Sequence, residues 1–393
     1  MNDSIVRFAP WPSYSPEEIQ AVRAVLESGK VNYWTGTEGR DFEREYANCA
    51  GTRHAVAVAN GTLALELALA AFGIGPGDEV ITSPRTFIAS ASCVVMRGAT
   101  PVFADVDRDT QNITASTIER AITERTRAVI PVHLGGWPCE MDEIVDLART
   151  HGLIVIEDCA QANGAMLKGR SVGGIGDAGA FSFCQDKIIT TGGEGGMLTT
   201  SDEAVWSRAW SYKDHGRSFD AADNRVHPPG YLWVHDSFGT NWRLTEMQAA
   251  IGRTQLRKLS QSVQVRNENA ALLREGMSLI PAIRVPAPPR HVRHAYYKFY
   301  AFVEPSALRS GWNRDRILAE ITTTGVPCYS GSCSEVYLER AFESGRSRPS
   351  ERLPIARELG ETSLMFLVHP TLGPEQMGRT LDVAAGVMKR AVR

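Results

Sequence analysis

The stretch "FSFCQDKIITTGGEGG", Phe181 to Gly196, sets one lysine, Lys187, after a short apolar run and ahead of Gly192, Gly193, Gly195 and Gly196. A lysine so placed can bind a phosphate, form a Schiff base with a carbonyl, or sit on the surface beside a hairpin. Where apolar groups crowd it, its amine sheds its proton more readily and becomes a nucleophile. The glycines let the backbone turn tightly or come close to a ligand. A second stretch, "LIVIEDCAQANGA", puts Glu157 and Asp158 after four apolar residues. A carboxylate at the end of a buried strand is partly desolvated and needs a cationic partner. A metal ion or a protonated ring nitrogen would serve, although no His or Cys set adjoins it in sequence. The plain alternative is an aspartate that caps the next turn. In a third stretch, "VANGTLALELALAAFG", a strand ends at Asn60-Gly61-Thr62 and a helix starts at once. Free N–H groups, the helix dipole and the Thr62 hydroxyl suit a phosphate there. A simple threonine-capped turn would read the same way.

Singly, each of these signals is ordinary. Together they are the three anchors of a pyridoxal phosphate site. One holds the phosphate, one pairs with the pyridine nitrogen, and one forms the Schiff base.

Such anchors need a rigid frame. From His54 onward, short apolar runs alternate with helical patterns. Strands are expected at His54–Ala59, Glu79–Ser83, Thr100–Val106, Ala128–His133, Leu153–Ile156, Ala178–Phe183 and Gly196–Thr200. Helices are expected at Leu63–Phe72, Ile88–Met96 and Met141–Thr150. This alternation implies a mostly parallel sheet flanked by helices, with ligands at the strand ends. Ahead of it, Ser15-Pro16-Glu17-Glu18 opens a helix. Thr245–Leu259 and Asn267–Leu279 read as two helices, followed by a proline-rich connector, Pro281–Pro289. His294–Val303 then reads as a strand, and Arg314–Thr324 and Met377–Val392 as helices. The division expected is a large α/β domain over residues 1–259, with an N-terminal helical segment, and a smaller α+β domain over residues 260–393.

Composition narrows the function classes. The 393 residues are 43% hydrophobic and 22% charged, as in an ordinary globular protein. The net charge of −3 offers no basic field for nucleic acid. The seven cysteines are scattered and include no Cys-x-x-Cys pair, which fits a reducing cytoplasm and argues against a metal site. Neither a signal peptide nor a membrane span is expected.

With these residues in place, the chain resembles the sugar aminotransferases of the DegT/DnrJ/EryC1/StrS type, a branch of fold-type I pyridoxal phosphate enzymes. The resemblance runs from Tyr33 to His369. It rests on "GTEGRDFEREYA", "ANGTLALELAL", "PRTFIASASCV", "PVFADVD", "VHLGG", "IEDCAQANGA", "FSFCQDKIITTGGEGG" and "NWRLTEMQAAIG". It implies that Lys187 forms the Schiff base and moves the proton, while Asp158 pairs with the ring nitrogen. Gln161 takes the place of the residue near the ring hydroxyl, and Phe87 that of the aromatic that stacks on the ring. Gly61, Thr62, Leu63 and Ser182 hold the phosphate. Asn241 resembles an asparagine that reaches the phosphate of the other subunit, implying a homodimer with shared sites. The implied reaction moves an amino group from an amino acid, L-glutamate by resemblance, to a nucleotide-linked ketosugar, with pyridoxamine phosphate in between. The sugar side is implied near Trp34, Thr35, His215 and Tyr329.

The chain departs from the family pattern in two places. The loop Thr-Gly-Gly-Glu-Gly-Gly is one glycine longer than the commonest form. "GVPCYSGSCSEVYLERAF" lacks the family's histidine-containing stretch, which leaves the sugar contacts unassigned. Three rivals stand beside this reading. A dinucleotide-dependent oxidoreductase would show Gly-x-Gly-x-x-Gly after an early strand, and "GTRHAVAVANGT" does not fit. A sugar dehydratase of the same family carries histidine where this chain has Lys187. A non-catalytic regulator that keeps the cofactor is the third; the chain retains every catalytic position named above.

Overall fold

The computed structural model of the chain describes residues 6–220, 233–343 and 347–393. Strands β1 (His54–Val58), β2 (Glu79–Thr82), β3 (Thr100–Phe103), β4 (Thr126–Ile130) and β5 (Ile154–Asp158) come first. The short pair β6 (Met166–Leu167) and β7 (Arg170–Ser171) precedes β8 (Ala178–Ser182) and β9 (Gly196–Thr200). Seven of these form one sheet in the order β1-β9-β8-β5-β4-β2-β3. Only β9 runs against the others. Val, Ala and Ile dominate these strands, and most of their side chains are buried on both faces, as helices on each side require.

The helices of this part are α1 (Pro16–Ser28), α2 (Glu38–Ala50), α3 (Gly61–Ala71), α4 (Ala89–Met96), α5 (Ala115–Glu119), α6 (Met141–His151), α7 (Glu203–Lys213) and α8 (Glu246–Met277). Helix α3 is apolar on nearly all sides because it lies between the sheet and helices α4 and α7. Leu65, Leu67 and Leu69 on it are all at most 2% exposed. Helices α2 and α8 are held together by Arg253, whose guanidinium meets Glu38 at 2.8 Å, Glu45 at 2.7 Å and Asp41 at 3.2 Å.

The two helices expected at Thr245–Leu259 and Asn267–Leu279 are one helix of 32 residues. The stretch between them keeps Val263 and Arg266 buried, so the packed stripe continues without a break. The line drawn at 259/260 therefore cuts a continuous helix, and as a proposed division it leaves α8 shared by both parts.

Beyond α8 come β10 (Ile283–Arg284), β11 (Val292–Arg293), β12 (Phe299–Val303), helix α9 (Arg314–Thr323), β13 (Cys328–Tyr329), helix α10 (Pro354–Thr362), β14 (Ser363–Phe366) and helix α11 (Pro374–Ala391). An antiparallel sheet β10-β12-β14-β13 carries this part. Phe299, Ala301, Leu364 and Phe366 pack with Leu273, Met277, Ile317 and Ile321 in one core. The strand expected over His294–Val303 starts only at Phe299. Residues ahead of it bond elsewhere: Ala295 N–H donates to the Gly136 carbonyl at 2.9 Å, and Tyr296 has a φ of 45°. The connector Pro281–Pro289 contributes β10, which pairs with the end of β12.

The sheet topology gathers the chemistry. Strands β1, β5 and β8 are parallel, so their C-terminal ends lie on one edge. The ends are followed or formed by Asn60-Gly61, Asp158 and Ser182. Strand β9 is antiparallel and starts there, with Gly196 opposite both Val58 and Ser182.

Candidate active site

At the head of α3 the Asn60 side chain accepts the Leu63 N–H at 3.0 Å. The N–H groups of Gly61 and Thr62, in the first turn, keep no intrahelical acceptor. Of the three residues expected to hold a phosphate here, Leu63 therefore has its N–H engaged, while Gly61 and Thr62 offer theirs. Ser182 closes the cradle: a Cβ on Gly61 would lie 2.6 Å from the Ser182 Cβ. A Cβ on Gly196 would meet the Asn60 carbonyl oxygen at 2.3 Å. Both positions need glycine because backbone and side chain close in on one turn. Gly61→Val should weaken phosphate-bearing ligands by about 10-fold or more, since overpacking shifts the whole turn. A cofactor titration beside a thermal melt checks this; a variant that binds normally would show that the turn is not the cradle.

Asp158, the last residue of β5, is 4% exposed. Its Oδ2 accepts from the Ser90 hydroxyl at 2.6 Å, and its Oδ1 accepts from the Ala160 N–H at 3.1 Å. Burial pushes its pKa above the usual carboxylate range, although both hydrogen bonds and the nearby Lys187 pull it down. A buried carboxylate held in this way is fitted to a cation on its open side. Phe87, three residues before Ser90, is 67% exposed, which leaves its ring a free face. Gln161 Oε1 accepts the Gly135 N–H at 2.8 Å, which leaves its Nε2 as the available donor.

Lys187 follows β8 by five positions, and its Nζ lies 4.7 Å from the centroid of the Tyr297 ring. The Trp11 indole donates to the Lys187 carbonyl at 2.8 Å and so fixes the backbone that carries the amine. Its neighbour Asp186 accepts from the Tyr297 hydroxyl. Ser90, Asp186, Trp11 and Tyr297 were not singled out in the sequence. Asp186 adjoins the lysine and was within reach of inspection. Tyr297 and Trp11 come from segments 110 and 176 residues away, and no local pattern points to them.

Glu157 takes the other face of β5, as strand alternation requires. It accepts from Ile175 N–H at 2.8 Å and Gly176 N–H at 2.7 Å, and pairs with His133 Nε2 at 3.0 Å. His133, Glu157 and Cys159 could in principle gather a metal. However, His133 Nδ1 accepts the Cys139 N–H at 3.0 Å, so Nε2 carries the proton toward Glu157. Burial also pushes the Cys159 thiol well above its usual range. The cluster is thus a closed hydrogen-bond network. Burial raises the Glu157 pKa, but His133 and the backbone donors outweigh it, and the net direction is down. Its contribution to stability is therefore present above the usual carboxylate range and lost as the pH falls through the folded value. Glu157→Ala should cost about 3 kcal/mol at neutral pH, with a smaller loss in acid, measured by denaturant melts.

The four residues implied for the sugar side lie on three segments of the chain. Trp34 packs edge-on against Trp210 at 5.8 Å, with the Arg217 guanidinium over it at 4.4 Å. Thr35 is exposed and bonds the Asn32 carbonyl. His215 is exposed at a φ of 63°. Tyr329 is 49% exposed on β13. No contact among the described residues ties any of them to Lys187. Asn241 is exposed and bridges to Asp214 in the loop before α8.

A lysine, a strand-end carboxylate and a glycine-bounded helix head thus meet at one edge of the sheet. Comparison with known proteins supplies the class. The model of the DegT/DnrJ/EryC1/StrS aminotransferase family matches residues 12–384. A solved aminotransferase from Psychrobacter cryohalolentis is 54% identical, superposes with a TM-score of 0.96, and is covered over 99% of its chain by 98% of this one. The UDP-N-acetyl-3-dehydro-alpha-D-glucosamine 3-aminotransferase of Acidithiobacillus ferrooxidans is 35% identical, over 98% of this chain and 96% of that one. The GDP-perosamine synthase of Escherichia coli O157:H7 is 34% identical, over 93% and 94%. The chain belongs to the DegT/DnrJ/EryC1/StrS aminotransferase family. It is an aminotransferase with the α/β fold that the resemblance implied.

Proposed function

We propose that the enzyme binds pyridoxal phosphate and moves an amino group from an α-amino acid, L-glutamate by resemblance, to a ketosugar carried on a nucleotide. The observation that carries this is the buried Asp158 carboxylate, held by Ser90 and Ala160 on the edge that also bears Lys187 and the Gly61 turn. When bound, the cofactor supplies an electron sink for the charge left as a substrate proton departs. Asp158 would keep the ring nitrogen protonated. Gly61, Thr62 and Ser182 would hold the phosphate, Gln161 would donate toward the ring hydroxyl, and Phe87 would cover one ring face. The Lys187 amine would take the proton from the amine-bearing carbon and return it one position away. Its place against the Tyr297 ring supports this by keeping water from one side of the amine.

Two similar enzymes act, by their names, on a UDP-linked and a GDP-linked sugar. They support the nucleotide-sugar class without selecting the nucleotide. A homodimer with shared sites is part of the proposal: Asn241 is exposed and follows Trp233 and Phe238 in the chain, which are 80% and 100% exposed. Large apolar groups left open on a single chain favour burial against a second copy. A cytoplasmic location is proposed from the scattered free cysteines; among the described residues no helix is long and apolar enough to cross a membrane. The test is to incubate the protein with pyridoxal phosphate, L-glutamate and a panel of nucleotide ketosugars, reading aminosugar by mass. A gain of one amino group on a nucleotide sugar is expected. Amination of free keto acids only would overturn the acceptor class.

A further inference from the structure

The surroundings of Lys187 carry an excess of positive charge. Lys298, just ahead of β12, places its Nζ 4.6 Å from the centroid of the same Tyr297 ring that Lys187 approaches at 4.7 Å. Behind them lies Arg266, which is 1% exposed. Its Nη1 donates to the Tyr296 and Tyr297 carbonyls at 3.3 Å each, while its Nε and Nη2 have no hydrogen-bond partner among the described residues. Among the described residues two carboxylates offset these three cations: Asp186, 3.7 Å from the Lys298 amine, and Asp158, near Lys187. Nearby His369 adds no anion, and burial beside Arg266 and Lys298 drops its pKa to about 3. Burial also pulls the Lys298 amine below its usual range, and Arg266 and Lys187 add to this while Asp186 opposes it. Such a cluster is stabilised by an arriving anion.

We propose that Lys298, backed by Arg266, forms the subsite for the α-carboxylate of the amino donor. This rests on the aminotransferase reading of Lys187 given above. The choice of anion follows from distance. Lys298 is one aromatic ring away from the amine at which exchange takes place. In an α-amino acid the carboxylate is one bond from the amine-bearing carbon. In a nucleotide sugar the diphosphate is separated from the keto carbon by the sugar ring. The site thus serves the first half-reaction and leaves the second to other residues.

The experiment compares wild type, Lys298→Met and Lys298→Arg, each loaded with pyridoxal phosphate. Thermal melts and the visible cofactor band check folding and loading. Bleaching of that band is then titrated with L-glutamate and, separately, with the aminosugar nucleotide in the reverse direction. Lys298→Met should weaken L-glutamate by about 30-fold, as loss of one charge-assisted bond implies. Lys298→Arg should recover most of it, and the aminosugar nucleotide should be affected less than about 3-fold. Unchanged L-glutamate binding in Lys298→Met overturns the subsite. So does a loss confined to the aminosugar nucleotide, which would assign the amine to a diphosphate. A wild type that shows no cofactor band overturns the aminotransferase reading itself and is told apart from both.

Discussion

Lys187→Ala should lower turnover by about four orders of magnitude while leaving the fold intact. Lys187 lies partly exposed at the edge of the sheet, its backbone held by the Trp11 indole and the Cys184 carbonyl. Neither bond needs the side chain, so truncation removes the amine and little else. The second amine on the Tyr297 ring, Lys298, lies beside Asp186 and would have to shift to take its place. The variant should melt within about 1 °C to 3 °C of wild type, as a change at a half-buried side chain does. Single-turnover kinetics with L-glutamate read the chemical step directly. A variant retaining more than a tenth of the wild-type rate would remove Lys187 from its role.

Asp158→Asn separates catalysis from stability, because the two should move in different directions. The folded-state pKa of Asp158 is raised, so the folded protein holds this proton more tightly than the unfolded chain does. Stability from this group is therefore full below the unfolded carboxylate value and declines as the pH rises through the raised one. In the protein without cofactor, an uncharged amide at 158 avoids that loss. It can still accept from Ala160 and exchange a hydrogen bond with Ser90, whose hydroxyl also meets Thr86 at 2.8 Å. The cofactor-free variant should thus melt no lower than wild type at pH 8. Catalysis should fall by about 100-fold or more, since removal of a preorganised charge facing the reacting system costs that much. Adding cofactor should raise the wild-type melting temperature more than that of the variant. A cofactor-free variant that melts well below wild type, with equal activity per folded molecule, would make Asp158 a structural residue.

Much of the site was legible because its anchors follow strand ends. Strand periodicity and the break at Asn60-Gly61 locate the helix head, and "IVIED" locates the carboxylate. The alternation rule then assigns Asp158 to the edge and Glu157 to the interior, which the two residues alone do not tell. Ser182 was expected through resemblance, and its contact with Gly61 supplies the physical reason. Leu63 was expected beside the phosphate through resemblance; its N–H is accepted by the Asn60 side chain, which caps the helix locally. Helix α8 was read as two pieces because Ser260 to Gln264 is polar on one face, while Val263 keeps the buried stripe running. What no local pattern could reveal is what reaches Lys187 from afar: Trp11 from the N-terminal segment, and Tyr297 and Lys298 from the segment just ahead of β12. Long-range packing places them, and sequence spacing does not encode it. The sugar side was implied only through resemblance, and among the described residues no contact ties Trp34, Thr35, His215 or Tyr329 to Lys187.

Lys187 and Asp158 are proposed to run the amino transfer together. The most direct test of this is the visible spectrum of purified wild-type protein, loaded with pyridoxal phosphate and titrated with L-glutamate, beside Lys187→Ala. The wild type should show a band that bleaches as one equivalent of 2-oxoglutarate appears per site. The alanine variant should show no such band of its own and release no 2-oxoglutarate. A wild type that takes up no cofactor, or a Lys187→Ala variant that bleaches and releases 2-oxoglutarate at the wild-type rate, would contradict it.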